Sequence, residues 1–151
     1  MEVGTDCPKF CTIDQIGKKW DNQSLLGKRC LIYFYPRDMT PGCITEACGL
    51  RDLHIEYRKL NTLILGVSAD GEKSHRKFIT KYDLPFPLLI DQNHIMSKAF
   101  GVWGEKKFMG KTFNGIHRMS FLLSESGKIE RAYHKVKPAD HAKQVLSDLS
   151  N

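Results

Sequence analysis

Apolar residues gather in short runs along this chain, separated by charged stretches, and the spacing within each run predicts its element. Cys30-Leu31-Ile32-Tyr33-Phe34-Tyr35 is unbroken by polar residues, as expected of a strand buried on both faces. Strands are predicted near 31–35, 63–67, 86–90 and 119–123, and a fifth near 129–134 follows the turn Ser124-Glu125-Ser126-Gly127. Between them the period lengthens to three and four residues. Leu50, Leu53, Tyr57 and Leu60 share one face of a helix predicted over 42–59, and Ala142, Val145, Leu146 and Leu149 one face of a helix over 139–149. Two further helices are predicted near 72–81 and 94–100. The stretch from Trp103 to Asn114, rich in Gly, Lys and aromatics, has neither period and reads as a surface loop. Strands alternating with helices imply an α/β fold with a mostly parallel sheet, and the closing hairpin adds antiparallel strands at one side.

The 151 residues and 41% hydrophobic content suit one domain spanning 1–151, without internal repeat or linker. No apolar run is long enough to cross a bilayer, and Met1-Glu2-Val3-Gly4-Thr5-Asp6 lacks the features of a signal peptide, so a cytoplasmic protein is expected. Five cysteines without framework spacing agree with a reducing compartment. The formal charge of +6 leaves polyanion binding open in principle. However, Lys and Arg are interleaved with Asp and Glu, and the densest basic patch, Lys73-Ser74-His75-Arg76-Lys77, is short enough to be a solvated helix face. Neither nucleic acid nor membrane is an expected partner.

The chemistry concentrates in the run from Phe34 to Cys48. A buried strand delivers the chain to a helix start, with Thr40 as a cap and Pro41 at a first position that needs no amide hydrogen. Cys43 then falls in the first turn, where unpaired amides and the positive end of the helix dipole favour a thiolate. Gly42 has no side chain to keep a bound oxygen from the backbone amides there.

Pro36, Thr40 and Cys43 match the Pro-x-x-x-Thr-x-x-Cys signature of the peroxiredoxins. The longer pattern Thr-Pro-Gly-Cys-x-x-x-x-Cys resembles their bacterioferritin comigratory protein, or peroxiredoxin Q, subfamily. Val3-Gly4, Gly66-Val67-Ser68-Ala69-Asp70, Phe86-Pro87-Leu88-Leu89-Ile90-Asp91, Gly101-Val102-Trp103-Gly104-Glu105-Lys106-Lys107 and Gly115-Ile116-His117-Arg118 are similar to it as well, in its order and at about its spacing. The resemblance implies a thioredoxin-like fold with a central mixed sheet flanked by helices. It also implies a cofactor-free and metal-free peroxidase that reduces hydrogen peroxide and organic hydroperoxides.

In that reading Cys43 attacks the peroxide, Cys48 resolves the resulting sulfenic acid, and thioredoxin or glutaredoxin recycles the pair in a monomeric enzyme. Arg118 matches the arginine that the family holds against the sulfur. Thr40 becomes a hydroxyl partner to thiolate and peroxide, and Pro36 stiffens the wall above them. Geometry adds a condition. Five residues of helix rise about 7.5 Å and turn about 500°, leaving the two Cα atoms about 8–9 Å apart, whereas a disulfide tolerates about 7 Å. The helix start therefore has to unwind before Cys43 and Cys48 can join.

Cys30 reads as core, and Cys7 and Cys11 as incidental small residues on an N-terminal hairpin. Two other function classes are weighed. A thioredoxin-fold disulfide exchanger needs Cys-x-x-Cys at the helix start, and here four residues intervene. A metal-binding or chaperone module would have to work through Cys7, Cys11 or the basic surface, and the six histidines have no metal-type spacing.

Overall fold

The apolar run around residue 31 becomes the middle of the fold. The computed structural model describes residues 2–151. In chain order the elements are β1 (Cys11–Ile13), β2 (Lys19–Asp21), β3 (Arg29–Phe34), α1 (Pro41–Asp52), α2 (His54–Lys59), β4 (Thr62–Ser68), α3 (Glu72–Tyr82), β5 (Leu88–Ile90), α4 (Ile95–Ala99), β6 (Trp103–Phe108), β7 (Lys111–Ile116), β8 (Met119–Leu123), β9 (Ile129–Tyr133) and α5 (His141–Leu149). Five strands form the central sheet in the order β5-β4-β3-β8-β9. β3, β4 and β5 run parallel, while β8 is antiparallel to both β3 and β9.

Both faces of this mixed sheet are covered, which is why β3 is apolar at every buried position rather than at alternate ones. Leu31 and Tyr33 point to one side, where they meet Ala47 and Leu50 of α1, Tyr57 of α2, Phe78 of α3 and Val145 of α5. Ile32 and Phe34 point to the other, against Phe10, Trp20, Met96 and Phe100. Helices thus flank a central sheet as the family resemblance implies. Among the described residues no helix is long and apolar enough to cross a membrane.

Two expected elements differ. The helix expected over 42–59 is divided at Leu53, whose φ of −104° and ψ of 7° interrupt the ladder. The two pieces serve different neighbours: α1 lies against α5, and α2 lies beside β4 and sends the buried Tyr57 hydroxyl to the Ala142 carbonyl at 2.7 Å. The expected loop from Trp103 to Asn114 is a hairpin, β6 paired with β7. Its turn is Met109-Gly110, both at positive φ (51° and 77°), which suits a two-residue connection. Most of its side chains are exposed, so no alternation marks it in the sequence. Cys11 does lie on an N-terminal hairpin, formed by β1 and β2. Cys7 does not: it precedes that hairpin and donates its amide to the Gly127 carbonyl at 2.8 Å.

Gly66, on β4, has to be glycine for lack of room. A Cβ there would lie 2.7 Å from Leu88 Cδ2 and 2.9 Å from the Tyr33 ring and hydroxyl. Gly66→Ala should therefore destabilise the fold by about 1–3 kcal/mol through overpacking. Chemical denaturation measures this, and an unchanged midpoint would contradict the close approach.

Candidate active site

The strand and helix that carry Cys43 are joined by a short, firmly tied segment. Beyond β3 the Tyr35 amide still donates to the Val67 carbonyl at 3.1 Å, so the strand pairing extends to the edge of the site. Pro36 is half-buried immediately after it and stiffens the exit. Asp38 is buried and fully engaged. Its carboxylate accepts from the Tyr35 hydroxyl (2.6 Å), from Ser74 (2.8 Å) and from His75 Nδ1 (2.7 Å), and its amide donates to Asp70 (2.8 Å). The other ring nitrogen of His75 meets the Leu89 carbonyl at 2.8 Å. The segment before α1 is thereby moored to β4, α3 and β5 together.

Thr40 occupies the cap position in extended conformation, and Ile44 donates to its carbonyl at 2.9 Å as the first helical bond. Its hydroxyl does not cap the helix. It donates instead to the Arg37 carbonyl at 2.8 Å, so the expected side-chain cap is replaced by a bond that closes the loop on itself. With its proton committed there, the hydroxyl oxygen keeps lone pairs for a donor.

Cys43 lies in the first turn of α1, 1% exposed. Arg118, placed just before β8, donates Nη2 to its Sγ at 3.4 Å and Nη1 to Glu46 Oε1 at 2.7 Å. A cation donating to sulfur binds a thiolate more strongly than a thiol. Glu46 follows Cys43 by three residues, which puts both on one face of the helix. Burial pushes the Glu46 carboxyl up to about 7 against the opposing pull of Arg118. Burial also works to lower the guanidinium, but Glu46 and then Cys43 outweigh it and hold Arg118 above its ordinary value.

Gly42 is part of the same arrangement. A Cβ at that position would sit 3.0 Å from Arg118 Nη2 and 3.7 Å from Pro138 Cγ, so glycine makes room for the guanidinium as well as for the backbone. On the sheet side Tyr33 of β3 is buried in the same core cluster as Cys43. Burial, followed by the charges of Glu46 and Cys43, drives its hydroxyl far above the ordinary value and keeps it protonated.

The structure therefore brings Cys43, Arg118, Gly42, Thr40 and Pro36 into one region. Cys48 sits five residues along the unbroken α1, half-buried and free. Cys30 is buried core, and burial raises the Cys7 thiol to about 11, which leaves it protonated and inert; Cys11 is exposed on β1. Among the described residues one set, Asp38, Asp70 and His75, brings three possible metal-ligating atoms within 4.8 Å of one another. Both carboxylate oxygens of Asp38, both ring nitrogens of His75 and Asp70 Oδ2 take part in the bonds that moor the loop. Glu46, Asp38 and His75 carry no sequence signal of their own; for Glu46 the only pointer is its three-residue offset from Cys43.

Comparison with known proteins agrees with this geometry. The AhpC/TSA family model matches residues 3–132. The peroxiredoxin Bcp of Escherichia coli is 45% identical, covering 99% of this chain and 96% of its own. The peroxiredoxin Bcp of Bacillus subtilis is 40% identical over 100% of this chain and 96% of its own. Among solved structures, the bacterioferritin comigratory protein of Xanthomonas campestris, described for its alkyl peroxide reduction activity, superposes with a TM-score of 0.92 at 37% identity, covering 99% of this chain and 98% of that one. A peroxiredoxin Q structure from the same organism gives 0.88 at 40% identity over 93% and 89%. With a cysteine at a helix start, an arginine against its sulfur, a mixed sheet behind both and near-complete alignment to these proteins, the chain belongs to the AhpC/TSA family as a peroxiredoxin of the Bcp and peroxiredoxin Q type, a thiol-dependent peroxidase.

Proposed function

We propose that Cys43 is the peroxidatic cysteine and Cys48 the resolving one, in a single domain spanning 1–151 that works as a cytoplasmic monomer recycled by thioredoxin or glutaredoxin. The observation that carries this reading is the donation from Arg118 Nη2 to Cys43 Sγ, at 3.4 Å within the first turn of a helix. Arg118 and the helix-start amides stabilise the thiolate and also the charge that moves across the O–O bond during attack. The thiolate takes the terminal oxygen of the peroxide, the O–O bond breaks, and the departing alkoxide or hydroxide leaves as alcohol or water once protonated. Thr40 Oγ1, its own proton held by Arg37, accepts from the peroxide hydroxyl and orients it. Glu46 holds the far side of the guanidinium and fixes its aim.

Cys43 is then a sulfenic acid. The Cys48 thiol attacks its sulfur, a disulfide forms and water leaves, before further oxidation takes the sulfur beyond recovery. On the intact α1 the two residues are about 8–9 Å apart, beyond the reach of a disulfide. Resolution therefore requires the start of α1 to unwind, which also exposes the disulfide to a thiol reductant. Five free cysteines agree with a reducing compartment.

Cys43→Ser should abolish peroxide turnover with the fold intact, since the hydroxyl is nearly isosteric but scarcely ionised. Cys48→Ser should consume one equivalent of peroxide and stop as a sulfenic acid that over-oxidises. Thiol counting and intact mass after a peroxide pulse separate the two. Retained turnover in the first variant would remove the assignment, and normal cycling with thioredoxin in the second would move the resolving role elsewhere.

Arg118→Met should slow attack by on the order of a hundredfold near neutral pH. The loss should shrink as pH rises, because the thiolate then forms without help. Gly42→Ala should shift the rate in the same direction by displacing the guanidinium. Rapid-mixing rates across pH test both, and an unchanged profile in Arg118→Met would make that residue structural.

A further inference from the structure

The β6–β7 hairpin carries a surface that the peroxidase reaction leaves unexplained. Phe108, Met109 and Phe113 are 67%, 87% and 47% exposed, three large apolar side chains on one small element. Such clustering on a protein surface marks a contact site more often than chance. The register pairs Phe108 with Lys111 and Lys106 with Phe113, so both aromatics and two lysines share one face, with Met109 at the tip.

The hairpin is cationic as well as apolar. Lys111, on the aromatic face, is exposed and makes no ion pair with a described residue, while Glu105, the one acid between Trp103 and Ile116, lies on the opposite face with Lys107. The hairpin is also continuous with the site, since β7 ends at Ile116, two residues before Arg118, whose Nη2 meets Cys43 Sγ at 3.4 Å. Lys106 donates to the Ile116 carbonyl at 2.9 Å, and its ammonium, lowered first by burial and then by Arg118, is pulled back by Cys43. An apolar and basic patch next to the site is thus held in place by the same strand, β7, that leads into Arg118.

We propose that this hairpin face docks the protein that reduces the Cys43–Cys48 disulfide, a small dithiol protein with an apolar surface around its reactive cysteines and an acidic rim. The inference rests on the reading of thioredoxin or glutaredoxin as electron donor. A second copy of this chain is disfavoured as the occupant, because two such hairpins would oppose lysine to lysine. A bilayer is disfavoured because it would cover the face that a reductant must reach at every turnover. A dithiol partner has to bring its sulfur into contact with the disulfide, and a site that opens by unwinding needs a fixed surface nearby on which the partner can rest.

The test is steady-state turnover at saturating hydrogen peroxide with a bacterial thioredoxin, its reductase and NADPH, alongside turnover driven by dithiothreitol. Phe108→Ser with Phe113→Ser should raise KM for thioredoxin about tenfold or more, and Lys111→Glu, on the same face, should raise it in the same direction. Dithiothreitol-driven turnover and the rate of the first peroxide step should stay unchanged. Lys73→Glu, a charge reversal on α3 away from the hairpin, should leave KM unchanged.

An unaltered KM in both hairpin variants overturns the docking surface alone, as does a rise shared equally by Lys73→Glu. Loss of binding to phosphatidylglycerol vesicles in the hairpin variants without a change in KM also overturns it, in favour of a membrane contact. If neither thioredoxin nor glutaredoxin turns over the unmodified protein while dithiothreitol does, the donor assignment falls, and the docking claim with it.

Discussion

A single guanidinium, held between a buried thiol and a buried carboxylate, is the interaction on which the site depends. Arg118 is itself half-buried, and a buried charge stripped of a partner costs about 3–5 kcal/mol, so the cation needs both Cys43 and Glu46 to remain where it is. Other features follow from accommodating it. Gly42 is bare because a Cβ would press on Nη2 at 3.0 Å. Glu46 is buried although it is a carboxylate, three residues from Cys43 on the same face of α1. The order of the central sheet matters for the same reason. β8 has to lie next to β3 for the residue before β8 to meet the helix that follows β3.

The second constraint opposes the first. A thiolate held in a tight first turn is well placed for a peroxide and badly placed for Cys48, because the helix that activates it also keeps the two sulfurs apart. The enzyme therefore has to give up part of its folded site during each cycle. The structure divides naturally into a part that can yield and a part that stays. β3 is buried on both faces, and Asp38 is moored through Tyr35, Ser74, His75 and Asp70, so the melting has a fixed boundary just before Thr40. Beyond that boundary, α1 has no side-chain cap to hold its start.

Much of the sheet is legible in the sequence because its strands are buried on both faces and leave continuous apolar runs; the expected strand 119–123 coincides with β8, and 31–35 and 63–67 match β3 and β4 to within two residues at each end. The β6–β7 hairpin is not, since most of its side chains are exposed and its only local signal is a two-residue turn. The break at Leu53 was hidden because Leu50, Leu53, Tyr57 and Leu60 keep a helical period across it. At the site, Cys43, Thr40, Pro36, Gly42 and Arg118 could be found through the family signature. Glu46 and His75 could not, because a carboxylate or an imidazole on an amphipathic helix is usually solvated, and only the tertiary structure shows these two to be buried. Thr40 illustrates a subtler limit. The sequence places it as a cap, but the choice of acceptor for its hydroxyl, the Arg37 carbonyl, is decided by the turn before it.

The coupling between disulfide formation and unwinding of α1 is the centre of this account, and amide hydrogen exchange on the reduced and disulfide forms tests it most directly. Oxidation should remove protection from about Thr40 to Arg51 while β3 remains protected, because its hydrogen bonds and packing lie outside the segment that must open. Equal protection of residues 40–51 in the two forms would contradict it, since a Cys43–Cys48 bond cannot form across a helix that stays intact.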